Sequence, residues 1–276
     1  ALVSPAASRL LMDAVVRDAR GGEAALGCTS LVRDVLAALG REHFEGLLDG
    51  YARSHGTATA AALRPFVEAL APGEEASLGA ELERAAPGLA EELITWIAAS
   101  ERTQQAGRAL LRAARNPHAS VRLSALRHVV GQPTEPVLAE VAALAAHKQP
   151  DVRMALLRLI TDTRLSVVAA RLLPLVSADE FHDRPLLERQ TLLTFLFAHT
   201  RAETERVVAE LTRRQGLFGD KRTDSTRGLA VDLLGEFGTG ADAVDAVKSA
   251  TSRWNGTELR TKAGAALRRL AARGVA

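Results

Sequence analysis

Apolar residues along the 276-residue chain recur at i, i+3, i+4 and i+7 in segments of 10–15 residues, each ending at Gly, Pro, Asn or Asp. This is the period of a helix that buries one face. Ser4-Pro5 reads as an N-cap with Pro at the first helical position, ahead of a face built from Leu10, Leu11, Ala14 and Val15. Thr29 or Ser30 opens a second helix through Leu31, Val35, Leu36 and Leu39, stopped by Gly40. The spacing predicts further helices near 41–54, 58–71, 75–86, 88–99, 101–115, 118–130, 134–146, 151–161, 164–176, 185–198, 201–214, 223–236, 240–250 and 256–273. No run alternates with period two, so no strand is expected. The breaks are short, which makes consecutive helices antiparallel neighbours and predicts stacked helical hairpins.

One pattern repeats at hairpin length. Val121-Arg122-Leu123-Ser124-Ala125-Leu126 aligns with Val152-Arg153-Met154-Ala155-Leu156-Leu157. Glu188-Arg189, Thr226-Arg227 and Leu259-Arg260 open three more units. The arginines at 122, 153, 189, 227 and 260 are 31, 36, 38 and 33 residues apart. Small residues follow, where a neighbouring helix must approach closely, and Pro117, Pro150 and Pro185 precede the first three units. Asn116-Pro117-His118-Ala119-Ser120-Val121-Arg122 and Gln149-Pro150-Asp151-Val152-Arg153 resemble the start of the second helix in HEAT repeats. The resemblance covers about 116–273, and more loosely the earlier part, where Leu31-Val32-Arg33-Asp34-Val35-Leu36 and Leu89-Ala90-Glu91-Glu92-Leu93-Ile94 keep the rhythm. Glu188, Thr226 and Leu259 depart from it, standing where Val is usual. The resemblance implies an all-α, right-handed α-solenoid of stacked antiparallel hairpins, one domain over 1–276, with a long face for binding. It also implies that Arg122, Arg153, Arg189, Arg227 and Arg260 are structural and pair with an acid or carbonyl of the adjacent repeat; Asp151, Asp162, Asp224 and Asp232 are the partners expected here.

Composition narrows the function classes. Ala and Leu supply about a third of the residues, which suits helices. Cys28 is the one cysteine, so no intramolecular disulfide or cysteine zinc cluster forms, in keeping with a reducing compartment; a cytoplasmic, bacterial-type protein is expected. No apolar stretch is long enough to cross a bilayer. The charged helical start is no signal peptide. The chain begins at Ala1 rather than Met, as a piece of a longer protein would, and its first helix could dock on an upstream segment or a second copy. The net charge of +2 conceals an asymmetry: residues 1–100 carry 8 Lys+Arg against 14 Asp+Glu, the remainder 27 against 19.

Candidate binding residues follow from this. Arg108, Arg112 and Arg115 fall at i, i+4 and i+7 and share one helix face, within a stretch that also holds Arg102, Arg122, Arg127, His118 and His128. The face is either solvated and balanced by the acidic first hundred residues, or a contact for an acidic partner or phosphates. Leu217 and Phe218 lie between glycines in the longest irregular link, as a partner anchor or a pair folded back on its hairpin. Trp254, beside Asn255-Gly256, is a surface candidate at a helix corner, whereas Trp96 belongs to the core. Asp179-Glu180-Phe181-His182-Asp183 reads as a polar loop. The seven histidines make no zincin pair, no phosphate loop is present, and no Gly-x-Ser-x-Gly elbow occurs, so no catalytic residue, metal or cofactor is expected. The expectation is a non-enzymatic scaffold holding a protein partner on its concave face. The alternatives are a nucleic-acid binder, including the alkylpurine-glycosylase-like HEAT proteins, and a bilin-lyase-like HEAT protein.

Overall fold

The structure is a computed structural model and describes Leu10, Asp13 and residues 38–100, 103–131, 134–163, 166–213 and 221–275. Among the described residues there are fourteen α-helices and no strand, and no helix is long and apolar enough to cross a membrane. The chain divides into two compact units, Ala1–Gln132 and Pro133–Ala276.

The first unit opens with a 3-10 turn, Arg41–His43, followed by α1 (Phe44–Ser54), α2 (Ala58–Leu70), α3 (Glu75–Leu82), α4 (Pro87–Ala99), α5 (Gln104–Ala113) and α6 (Ala119–Val129). Local chemistry sets the boundaries. Thr57 and Thr103 accept hydrogen bonds from the backbone N–H three residues on, capping α2 and α5. Pro87 starts α4, where its missing N–H costs nothing. Gly56 and Gly73 turn the chain at φ 81° and 91°, backbone that a side chain would strain. Helices pack on near neighbours: α1 on α2 and α3, α3 on α4 and α5, and α6 on α4 and α5. Phe44, Leu47, Leu63, Leu78, Leu93, Ile94 and Ile97 fill the centre, each contributing roughly 1.5–3 kcal/mol by leaving water.

The second unit holds α7 (Glu135–Ala145), α8 (Pro150–Thr163), α9 (Ser166–Leu172), two 3-10 turns (Leu173–Val176 and Asp179–Asp183), α10 (Leu186–His199), α11 (Arg201–Thr212), α12 (Lys221–Phe237), α13 (Ala241–Ala250) and α14 (Thr257–Ala272). Here α8, α10, α12 and α14 touch in succession, while α7 packs on α8 and α9, and α11 on α10, α12 and α13. α12 and α14 approach closely at Gly235, where a Cβ would stand 2.6 Å from that of Ala266. The buried Glu205 of α11 accepts the Thr239 and Gly240 amides at 2.9 and 2.8 Å, capping the start of α13. Arg273 donates to the carbonyls of Gly235, Glu236 and Gly238 and closes the C-terminal end of α12. Each helix predicted from residue 41 onward has a counterpart, shifted at its ends by a few residues. The segment around His182, read as a polar loop, is a 3-10 turn because Phe181 is fully buried and anchors it.

Candidate functional site

The repeated arginines organise the second unit. Arg153 of α8 reaches forward to Glu188 of α10 in a fork, Nε to Oε1 at 2.6 Å and Nη2 to Oε2 at 2.8 Å. Its Nη1 donates to the carbonyls of His147 and Lys148. Arg184 meets the same carboxylate at 3.1 Å. Arg189 of α10 reaches α12, donating to Thr226 Oγ1 at 2.5 Å and Ser225 Oγ at 3.0 Å. Arg227 of α12 donates to the Thr212 carbonyl, Asp224 and Asn255, the last in the turn before α14. These contacts form rungs that step from one helix of the row to the next. The acceptors Glu188 and Thr226 stand where Val121 and Val152 precede their arginines in the first two units of the sequence pattern. Of the partners expected from sequence, Asp224 serves Arg227, whereas Asp232 pairs with Lys262 and Arg269 of α14. Asp151 lies exposed at the start of α8, and the Asp162 side chain is outside what the structure describes. Arg260 is exposed and bonds to Thr257 within its own helix. Arg122 is half-buried, and its Nε is buried without a hydrogen-bond partner among the described residues.

The rungs invert the first turn of α10. Pro185 precedes the helix, and Glu188 and Arg189 turn inward to meet their partners; Glu188 has no exposed surface. Successive helical residues are about 100° apart, so Leu186 and Leu187 face outward, 53% and 63% exposed. They form an apolar ridge between two cavities. One, of about 610 Å³, lies between α10, α12 and α14, with Leu186, Gln190, Leu229, Leu233 and Leu259 in its wall. Four carboxylates (Asp224, Asp232, Glu236, Glu258) and two cations (Arg227, Lys262) rim it. The other, of about 520 Å³, lies on the opposite side of the ridge and is lined by Thr161, Leu187, Gln190, Thr191, Thr194 and Phe195 among others. Gln190 borders both.

The arginine face in the first unit is differently engaged. Arg112 is exposed and pairs with Glu83 at 2.7 Å. Arg108 is exposed and lines a cleft of about 330 Å³ with Glu75, Glu83 and Arg112. Arg115 is exposed in the turn after α5, which ends at Ala113, so Arg108 and Arg112 are the two of the three arginines on the helix. Glu75 of α3 and Glu83, just after that helix, thus stand beside Arg108 and Arg112. Trp254 is 73% exposed, with the Arg253 guanidinium 4.9 Å from its ring centre. Leu217 and Phe218 lie outside the described residues, as do Cys28 and Arg102.

A polar cluster that sequence reading did not assemble joins α1, α2 and α4. The Tyr51 hydroxyl donates to Glu92, which also stands 3.7 Å from His55 and 3.9 Å from Arg64. Arg64 bridges to Glu68 at 2.8 Å, and the Trp96 indole N–H donates to the same Glu68 oxygen at 3.2 Å. Trp96 is buried, as expected, and lies 5.4 Å from the Tyr51 ring. Burial first, and then Glu92, push the Tyr51 phenol above its ordinary range, so it remains a proton donor at neutral pH. The Arg64 hydrogen bond holds Glu68 below the usual carboxylate range. Tyr51, Glu68 and Glu92 are spread over 41 positions, and only the packing of the three helices brings them together. Among the described residues no group of three or more His, Cys, Asp or Glu is placed to hold a metal ion.

No protein-family model matches this chain, and no curated protein matches it.

Proposed function

We propose that the chain is a HEAT-like α-solenoid that serves as a non-enzymatic protein-binding scaffold, with its partner laid across α8, α10, α12 and α14. The observation that carries this reading is the ridge of Leu186 and Leu187, with a cavity on each side. Two adjacent leucines exposed on a helix that buries a glutamate and an arginine represent apolar surface awaiting a cover. The successive contacts along the row and the forward arginine rungs support the stacked-hairpin reading, because each helix pair leaves an apolar face for the next. Affinity would come from a few anchors seated beside the ridge. The groove's four carboxylates against two cations suit a protein segment better than a polyanionic backbone.

The test is proximity crosslinking in the source cells, comparing the wild-type chain with a Leu186→Ser, Leu187→Ser double variant of equal melting temperature. Loss of a crosslinked protein from the double variant, with nuclease treatment making no difference, is the expected result. The same crosslinked set from both chains would remove the ridge as the binding site. Recovery that depends on nucleic acid would replace the protein-scaffold reading.

A further inference from the structure

The rung at Arg189 differs from its neighbours. Arg153 meets a carboxylate, and Arg227 meets Asp224. Among the described residues Arg189 meets only the hydroxyls of Thr226 and Ser225, and its Nε has no hydrogen-bond partner. Yet it is 5% exposed, and burial alone pulls its pKa below the ordinary guanidinium value, with no acid opposing the shift. Beside it, Arg153 and Arg184 share one buried carboxylate, Glu188, which Arg189 does not reach. Glu180 is the further acid that acts on Arg184. A buried guanidinium without an anion is costly, since neutral hydroxyls recover only part of its lost hydration. Arginine with adjacent hydroxyls is also the donor set that suits a tetrahedral oxyanion, through short charge-assisted hydrogen bonds.

The site is open on one side. Thr226 is buried and its hydroxyl is also 2.9 Å from His182 Nδ1, whereas Ser225 and Gln190 are exposed and line the 610 Å³ groove. Asp224, beside Ser225, is balanced by Arg227. Asp232 and Glu236 lie about two and three turns further along α12, roughly 10 and 16 Å away by helix rise, a distance at which salt screens much of their repulsion. We propose that Arg189, with Ser225 and Thr226, is a binding site for one phosphate-class oxyanion at the wall of the groove. Ser225, the member of this set in the groove wall, donates its hydroxyl to the anion, and Arg189, whose Nη2 holds the Ser225 Oγ from behind, supplies the positive charge that the anion balances. The occupant is either free phosphate or a phosphoryl group on a bound chain. The inference stands on the rung alone and holds whether or not the groove takes a protein.

The experiment titrates the wild-type chain with inorganic phosphate, with sodium chloride at matched ionic strength as control, and follows thermal unfolding. At ten times the dissociation constant, the phosphate arm is expected to raise the melting temperature by about 3 °C over the control. Ser225→Ala, a surface change that leaves the core intact, is expected to weaken binding at least fivefold. Arg189→Gln is expected to abolish the response while leaving the phosphate-free melting temperature unchanged or higher. O-phospho-L-serine binding more tightly than inorganic phosphate would identify a chain-borne phosphoryl group as the occupant; the reverse order would identify the free ion. A wild-type response equal to that in chloride would overturn the proposal. An undiminished phosphate response in Ser225→Ala, or in Arg189→Gln, would also overturn it.

Discussion

Removing Arg153 should be far more damaging than its place in an arginine-rich chain suggests. Substitution by Gln deletes a forked pair to Glu188 and two bonds to carbonyls at the end of the preceding turn. Glu188 stays fully buried and keeps Arg184 alone, at 3.1 Å. Breaking a buried pair by taking one partner costs about 3–5 kcal/mol, and the surviving Arg184 contact places the loss at the lower end, about 3 kcal/mol. For a unit of this size each kcal/mol moves the melting temperature by roughly 2–4 °C, so a fall of roughly 6–12 °C is expected. Thermal and urea unfolding of wild type, Arg153→Gln, Arg153→Met, Glu188→Leu and the Arg153→Met, Glu188→Leu double variant form the assay. The double variant should lie well above the sum of the single changes, because Arg153 and Glu188 leave together and only Arg184 is left without its carboxylate. A fall of under 2 °C for Arg153→Gln, or strict additivity in the double variant, would refute a buried and coupled rung.

The single tyrosine makes a second expectation easy to read. Phenolate absorbance should appear only above the ordinary pKa of about 10 and should accompany unfolding; an ordinary titration of the folded chain would contradict the Tyr51–Glu92 contact. The sign follows from the raised folded-state pKa: Tyr51 stabilises fully below its unfolded value and loses that contribution as pH rises through the folded one. Glu68 runs the other way. Its depressed pKa gives stability that is present above the unfolded carboxylate value of about 4.3 and is lost as acid titrates the folded group, so Glu68→Gln should flatten the acid limb of the unfolding curve. Gly235→Ala should destabilise by about 1–3 kcal/mol through overpacking, because the new Cβ meets Ala266. Gly107→Ala, with nothing within 4 Å of its Cβ position, should instead stabilise by roughly 0.5–1 kcal/mol through helix propensity; urea midpoints distinguish the two.

The helices from residue 41 onward were readable because each carries its own period and stop signals. Gly40, Pro87, Pro150 and Pro185 mark boundaries that the structure keeps to within a few residues. The arginine spacing was readable for the same reason. The acceptors were not, because a rung joins residues about 35 positions apart and depends on how far one helix is displaced along the next. Asp232 looked suitable by proximity in sequence to Arg227, yet it lies about a turn and a half further along α12 and faces α14, where Lys262 takes it. One signal was present: the positions before Arg189 and Arg227 hold Glu and Thr, where Val precedes Arg122 and Arg153, and these two side chains accept from the preceding arginine. The Tyr51 cluster gave no such signal, since its members come from three helices with no shared spacing. The exposure of Leu186 and Leu187 was also hidden, because the pattern Leu-Leu-Glu-Arg suggests leucines inside and charges outside.

The rungs also bear on how such a chain can be edited over time. Because each arginine is matched to a different acceptor, a fork of carboxylate at one step, hydroxyls at the next, an amide and an aspartate at the third, the segments are not interchangeable. Excising the stretch from α10 to the start of α12 would bring Arg153 against Thr226 in place of Glu188, and duplicating it would set Arg189 against a second Glu188. The rungs therefore act as an address written into the interior. Growth or loss by whole segments, the usual route by which repetitive chains change length, would here demand a compensating change at the join.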